Sequence, residues 1–202
     1  MIDQDSEIQR LLDLLPASSR MRTKIVNSKQ QKVVIETKFP MPWAAERPIL
    51  INFDLWRELP GQQRDLLLLR SAIWLSQIRW LKFDLYQGLI VAGIVGTLVE
   101  LVQADVVGTI VGGGLSVVAG GQIWRSNRSS QVELQADEEA IRVAQRRGYS
   151  PTDAASFLLK AIESVAIIEG RSALNFTELI RCQNLRMLAG LSSVDVPDSL
   201  KR

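Results

Sequence analysis

LYQGLIVAGIVGTLVELVQADVVGTIVGGGLSVVAGGQIW, residues Leu85–Trp124, is the stretch on which the reading of this chain turns. Two apolar runs, Leu85–Val102 and Val106–Trp124, are separated only by Gln103-Ala104-Asp105. Each run approaches the ~20 residues a helix needs to cross ~30 Å of hydrocarbon, and neither contains proline. Gln87, Glu100 and Gln122 lie near the ends, within reach of an interface.

Small residues recur at every fourth position. Gly88, Ala92 and Gly96 mark one run; Gly108, Gly112, Ser116 and Gly120 mark the other. Residues i and i+4 share a helix face, and small residues on facing stripes let two backbones approach closely. The short connection makes the helices antiparallel neighbours, so the sequence predicts a helical hairpin packed glycine face to glycine face. Arg79 and Lys82 before it and Arg125 and Arg128 after it fall on one side, which the positive-inside rule makes cytoplasmic. Two environments fit such a hairpin: a membrane, or the core of a soluble helical protein.

Working outward, the flanks read as mostly helical. Ser6–Leu15 forms a short helix ended by Pro16. Ala17–Ile35 holds Arg20, Arg22, Lys24, Lys29 and Lys32 without an acidic residue. Such a run suits either an anionic membrane surface, at ~1 kcal/mol per basic residue, or a solvated linker. Lys32–Lys38 and Pro48–Phe53 read as strands that pair as a small N-terminal β-hairpin, with Pro40, Pro42 and Pro48 keeping the connection extended. Gln62–Phe83 reads as a long helix, apolar around much of its circumference, in which Arg70 requires a carboxylate partner.

Beyond the hairpin, Ser129–Arg147 reads as a helix ended by Gly148. Glu138 and Arg142 suit an i,i+4 pair on its outer face. Glu133 and Asp137 share a side with Ala136, Ala140 and Ala144, the packing face, where carboxylates need partners. Ser150-Pro151-Thr152-Asp153 and Asn175-Phe176-Thr177-Glu178 are helix starts. Those helices end at Gly170 and near Gly190, and the tail from Leu191 is polar. The organisation expected is an N-terminal helix and basic linker (1–31), one helical domain (32–190) that includes the hairpin 85–124, and a tail (191–202). The fold class expected is mainly α, of the α+β type.

Composition narrows the chemistry. The 202 residues, 47% hydrophobic and 23% charged, suffice for one domain with a sizeable core. A net charge of +2 gives no argument for nucleic acid. The chain has no histidine and one cysteine, Cys182, which excludes histidine-based catalytic pairs, histidine zinc sites and an internal disulfide. Cys182 reads as a small core residue. The acidic N-terminus carries no secretory signal pattern.

The order of small sheet, long helix, apolar hairpin and then Glu133-Leu134-Gln135-Ala136-Asp137 with Gly148-Tyr149-Ser150-Pro151 resembles membrane-associated zinc metallopeptidases of the heat-shock protease and CAAX prenyl endopeptidase type. The resemblance covers roughly residues 49–166. It implies a metallopeptidase-like helical domain, with Glu133 in the place of the third zinc ligand and Asp137 supporting a ligand histidine. The position of H-E-x-x-H reads Arg70-Ser71-Ala72-Ile73-Trp74, so both histidines and the catalytic glutamate are replaced. The expectation is an ion pair between Arg70 and Glu133 or Asp137 in place of the metal. Nearly the whole chain, including the LPASSRMRTKIV and ELIRCQNLR segments, is also similar to an uncharacterised cyanobacterial family.

The functional expectation is a non-catalytic, membrane-associated interaction or assembly protein. It needs no cofactor or metal, sits at a thylakoid or plasma membrane with its bulk on the cytoplasmic side, and has a protein partner or a second copy of itself. The alternatives are a soluble protein holding a lipid or apolar ligand through the hairpin, and an enzyme with a histidine-free carboxylate site built from Glu133, Asp137 and Arg70.

Overall fold

Helix α4, Gly61–Gln77, is the element against which most others pack. The computed structural model describes residues 4–38, 46–77 and 130–191, all within one compact unit. Before α4 come α1 (Gln4–Leu14), α2 (Ala17–Arg20), strands β1 (Thr23–Asn27), β2 (Ile35–Thr37) and β3 (Arg47–Ile51), and the short α3 (Phe53–Trp56). After it come α5 (Ser130–Gln145), α6 (Pro151–Ile168) and α7 (Phe176–Leu188). The architecture is mainly helical with a small sheet, the class read from the sequence.

The core sits where α4, α5, α6 and α7 meet. On α4, Leu66, Leu68, Leu69 and Leu75 are at most 1% exposed. Burying each contributes roughly 1.5–3 kcal/mol. On α5, Ala136, Ala140 and Ala144 are fully buried at the helical spacing of four, which lets α5 lie close to α4. Leu158, Ala161 and Ile162 of α6 and Leu185 of α7 complete this layer. Cys182 is a free, buried thiol whose pKa burial, helped by Glu163, raises to about 11. It is a core residue rather than a nucleophile.

The helix ends follow local chemistry. Ser150 Oγ accepts from Asp153 N at 3.0 Å and Pro151 takes the first turn of α6. At α7, Glu178 N donates to Asn175 Oδ1 at 2.9 Å and Asn175 N to Glu178 Oε2 at 2.8 Å, a reciprocal capping box. Gly148 closes α5 with φ +93°, a conformation that costs residues with a Cβ.

The sheet has one strand more than the expected hairpin. Its order is β1-β3-β2. β2 and β3 pair antiparallel, Ile35 opposite Ile51, as the two strand-like segments suggested. β1 adds in parallel on the other side of β3, with Ile25 opposite Ile49. It lies inside the stretch read as a basic run. Arg20 instead closes α2 and pairs with Asp13 at 2.9 Å, and Lys24 pairs from β1 with Glu46 at 3.1 Å. Arg22 precedes β1, Lys29 lies in the following turn, and Lys32 borders a cleft beside β2. The outer-face pair also differs: Arg142 is salt-bridged to Glu139, not Glu138.

Membrane placement is corrected. Among the described residues no helix is long and apolar enough to cross a membrane. This overturns the transmembrane reading and with it the thylakoid or plasma-membrane location. α6 shows the physical reason for the described part. Its 18 residues include Asp153, Lys160 and Glu163, and its apolar face is spent against α4, α5 and α7. The hairpin Leu85–Trp124, with Gly88, Ala92, Gly96, Gly108, Gly112, Ser116 and Gly120, lies outside the described residues.

Candidate functional site

Arg70 leaves α4 on the side facing α5. One turn apart on α5, Glu133 and Asp137 point back at it. The guanidinium is salt-bridged to Glu133 through Nη2, and its Nε donates to Asp137 Oδ1 at 3.3 Å. The structure therefore places Arg70 between the two carboxylates. Trp74, one turn further along α4, is a buried core residue.

A fourth member comes from α7. Arg181 donates from Nε to Asp137 Oδ2 at 2.7 Å and from Nη2 to Oδ1 at 2.8 Å. This is the two-pronged geometry that suits a guanidinium to a carboxylate. Asp137 has no solvent exposure and Arg181 is buried. Burial opposes charge on Arg181, but Asp137 outweighs it and the pKa is raised. Arg70 goes the other way. Burial and the neighbouring Arg181 push it down to about 9, against Asp137. Sequence reasoning missed Arg181. The available signal was an arginine between Ile180 and Cys182, on a face that also carries Leu185.

Beside this cluster lies a cleft of about 700 Å³ between the Gln31–Thr37 segment and α4, α6 and α7. Leu67, Ile162 and Val165 give it apolar walls, and Arg70, Arg181 and Arg171 reach it. Arg171 is clamped between two helix ends. Its Nε meets Glu169 Oε2 at 2.9 Å, and Nη1 and Nη2 meet Glu178 at 2.8 and 2.9 Å. Burial disfavours the Glu178 carboxylate, yet Arg171, the Asn175 amide and Arg181 together lower its pKa. Glu169 Oε1 also accepts from Val34 N at 2.8 Å, tying the segment before β2 to the end of α6.

A second polar cluster fastens α1 to α4. Glu7, 5% exposed, receives Arg10 at 2.8 and 3.0 Å, Arg64 at 2.7 Å and the Trp56 indole at 3.4 Å. Arg10 also reaches Asp65 at 2.6 Å, and the Tyr149 hydroxyl donates to the other Asp65 oxygen at 2.8 Å. Arg147 donates to the carbonyls of Leu14 and Leu15 at the end of α1. These groups are spread between positions 7 and 149, so no local pattern announced them.

Among the described residues no three carboxylates or thiols group so as to hold a metal ion. The family described as "Protein of unknown function (DUF3318)" matches residues 9–149. No curated protein and no solved structure matches the chain.

Proposed function

The chain belongs to the DUF3318 family, and on that footing we propose that it is a non-catalytic interaction or assembly protein, a helical body of metallopeptidase-like design whose metal-binding face has become an ionic cross-link. The observation that carries this reading is the shared carboxylate of Asp137, engaged by Arg70 from α4 and by Arg181 from α7. The residues do not fit zinc. Of the ligand set implied by the resemblance only Glu133 and the supporting Asp137 remain, both already hold guanidinium groups, and the chain has no histidine.

The arrangement works as a structural element that joins three helices and shapes one wall of the cleft. A buried ion pair of this kind favours one register of packing more than it adds net stability. A fixed cleft on a rigid helical body is suited to recognising a protein segment. The partner is another protein or a second copy of the chain, and no cofactor is required.

A photoreactive residue at Lys32, on the cleft rim, tests the reading in the full chain expressed in its own host. One discrete adduct is expected, competed by purified unlabelled chain and missing when the photoreactive residue sits at Arg142 on the exposed face of α5. Absence of any adduct, or equal adducts from both positions, would count against an interaction role. Stoichiometric binding of a divalent ion that Asp137→Asn abolishes would instead favour the carboxylate enzyme.

A further inference from the structure

Among the described residues strand β2 is an edge of the sheet, and its residues border the cleft. The direction its backbone faces follows from the ladder. Ile35 is opposite Ile51 and Thr37 opposite Ile49. Asn52 N donates to the Val34 carbonyl at 3.0 Å. Bonded and non-bonded pairs alternate along an antiparallel ladder. With Val34 and Asn52 in the bonded phase, Ile35 and Thr37 fall in the non-bonded phase. Their N–H and C=O groups therefore point away from β3. Ile51 agrees with this phase, because its carbonyl is turned to the opposite side and accepts from Ser28 N at 2.9 Å. No hydrogen bond from a described residue meets the outward groups of Ile35 or Thr37.

The charges around the cleft are matched internally. Arg171 is taken by Glu169 and Glu178, and Arg181 and Arg70 by Asp137. A charged residue entering between them finds no buried counterpart, whereas Leu67, Ile162 and Val165 offer apolar contact. The exposed Lys32 and Glu36, of opposite sign, stand at the rim. An open strand edge beside an apolar, charge-matched cleft is the arrangement that accepts an added strand, where backbone bonds give affinity and a side-chain pocket gives selectivity.

We infer that an extended, uncharged segment of a partner protein pairs with the outer edge of β2 at Ile35 and Thr37 and places an apolar side chain in the cleft between β2, α4 and α6. This deepens the proposed interaction role and rests on it. The occupant is a peptide strand, not a small anion, because the unmatched groups are backbone amides and carbonyls rather than guanidinium ions.

The test uses the full chain, a displayed library of random dodecapeptides and the variant Thr37→Pro. Proline at an outward-facing edge position removes one donor without touching the bonds between β2 and β3. Selected peptides are expected to share an apolar residue in an uncharged context. Thr37→Pro is expected to weaken them at least tenfold with an unchanged thermal midpoint. N-methylation of alternate peptide amides reproduces that loss on the unaltered chain, and this scan decides the matter if Thr37→Pro fails to fold. The inference is overturned by no enriched peptide, by peptides that bind Thr37→Pro as tightly as the parent, or by a homodimer that Thr37→Pro dissociates, which would make a second copy the occupant. A discrete adduct from Lys32 that persists in Thr37→Pro removes the strand pairing yet leaves the interaction role standing.

Discussion

Asp137 and Arg181 meet through two hydrogen bonds, of 2.7 and 2.8 Å, where the carboxylate has no exposure to solvent. The pair joins α5 to α7, and Arg70 attaches α4 to the same carboxylate. Removing one partner of a buried pair leaves a charge behind, at a cost of about 3–5 kcal/mol. Asp137→Ala strands Arg181, leaves Arg70 with Glu133 alone, and is expected to be the most damaging single change here. Arg181→Ala follows, since Arg70 alone holds Asp137 from 3.3 Å. Arg70→Ala is milder, about 1–3 kcal/mol, because Asp137 keeps Arg181 and the partly exposed Glu133 can take up water. Urea unfolding of the three variants gives the order. The combined change Asp137→Leu with Arg181→Met is expected to recover much of the loss. Three equal, sub-kcal effects would remove the buried cross-link as a feature of the folded state.

That ordering also shows what the sequence made legible. Arg70 stood out because it interrupts Leu66–Leu69 and Ile73 on a buried helix, and Glu133 and Asp137 because they share the alanine face of α5. Local geometry sufficed for these, as it did for the caps at Ser150 and Asn175. Arg181 did not stand out because arginines are ordinarily surface residues, and its partner lies 44 positions away. β1 was hidden for a related reason. Thr23, Ile25 and Val26 are strand-forming in Thr23–Asn27, but Lys24 and Asn27 are not, and pairing with β3 decides the strand. The membrane reading rested on the apolar composition of Leu85–Trp124, and apolar composition alone does not distinguish a lipid-facing helix from one packed against other helices.

Acid should loosen the two carboxylates that other groups keep ionised. At Glu7 burial works against the charge, but Arg10, Arg64 and the Trp56 indole prevail and hold the pKa below its ordinary 4.5. Glu178 is likewise lowered, by Arg171 and the Asn175 amide against burial. A folded pKa below the unfolded one means that the unfolded chain binds protons first as pH falls. The stabilisation is whole above about pH 4.5 and is lost as pH drops through the folded values. Unfolding midpoints between pH 7 and pH 3 are expected to fall less steeply in Glu7→Gln and Glu178→Gln than in the parent. Parallel slopes would show that neither carboxylate is coupled to folding.

Alkali probes the same α1–α4 cluster through its hydroxyl group. Burial and the hydrogen bond to Asp65 raise the Tyr149 hydroxyl from 10 to about 12. Its contribution is full below pH 10 and disappears as pH rises through about 12, because the unfolded chain releases that proton first. The difference in phenolate absorbance between the parent and Tyr149→Phe isolates this group from the other tyrosine. Its midpoint is expected near pH 12, and Asp65→Asn should bring it down towards 10. A midpoint near 10 in the parent would mean that Tyr149 is not bound to Asp65 in solution.

Glu169 connects the sheet to the helices through a single backbone amide. Val34 N donates to its Oε1 at 2.8 Å, while its Oε2 meets Arg171 at 2.9 Å. Val34 is itself fully buried, so its amide has no ready access to water as a substitute acceptor. Glu169→Ala leaves that donor without its acceptor and removes one salt bridge of Arg171, at about 1–3 kcal/mol. The loss should be local before it is global, since the sheet can part from α6 while α4, α5 and α7 stay packed. Amide hydrogen exchange is expected to quicken at Val34 and at Glu36, the β2 residue whose amide faces β3, with protection on α4 unchanged. Glu169→Gln, which retains an acceptor oxygen, should restore most of the Val34 protection. Equal exchange in the parent and Glu169→Ala would show that β2 is held by its pairing with β3 alone, and not by Glu169 at the end of α6.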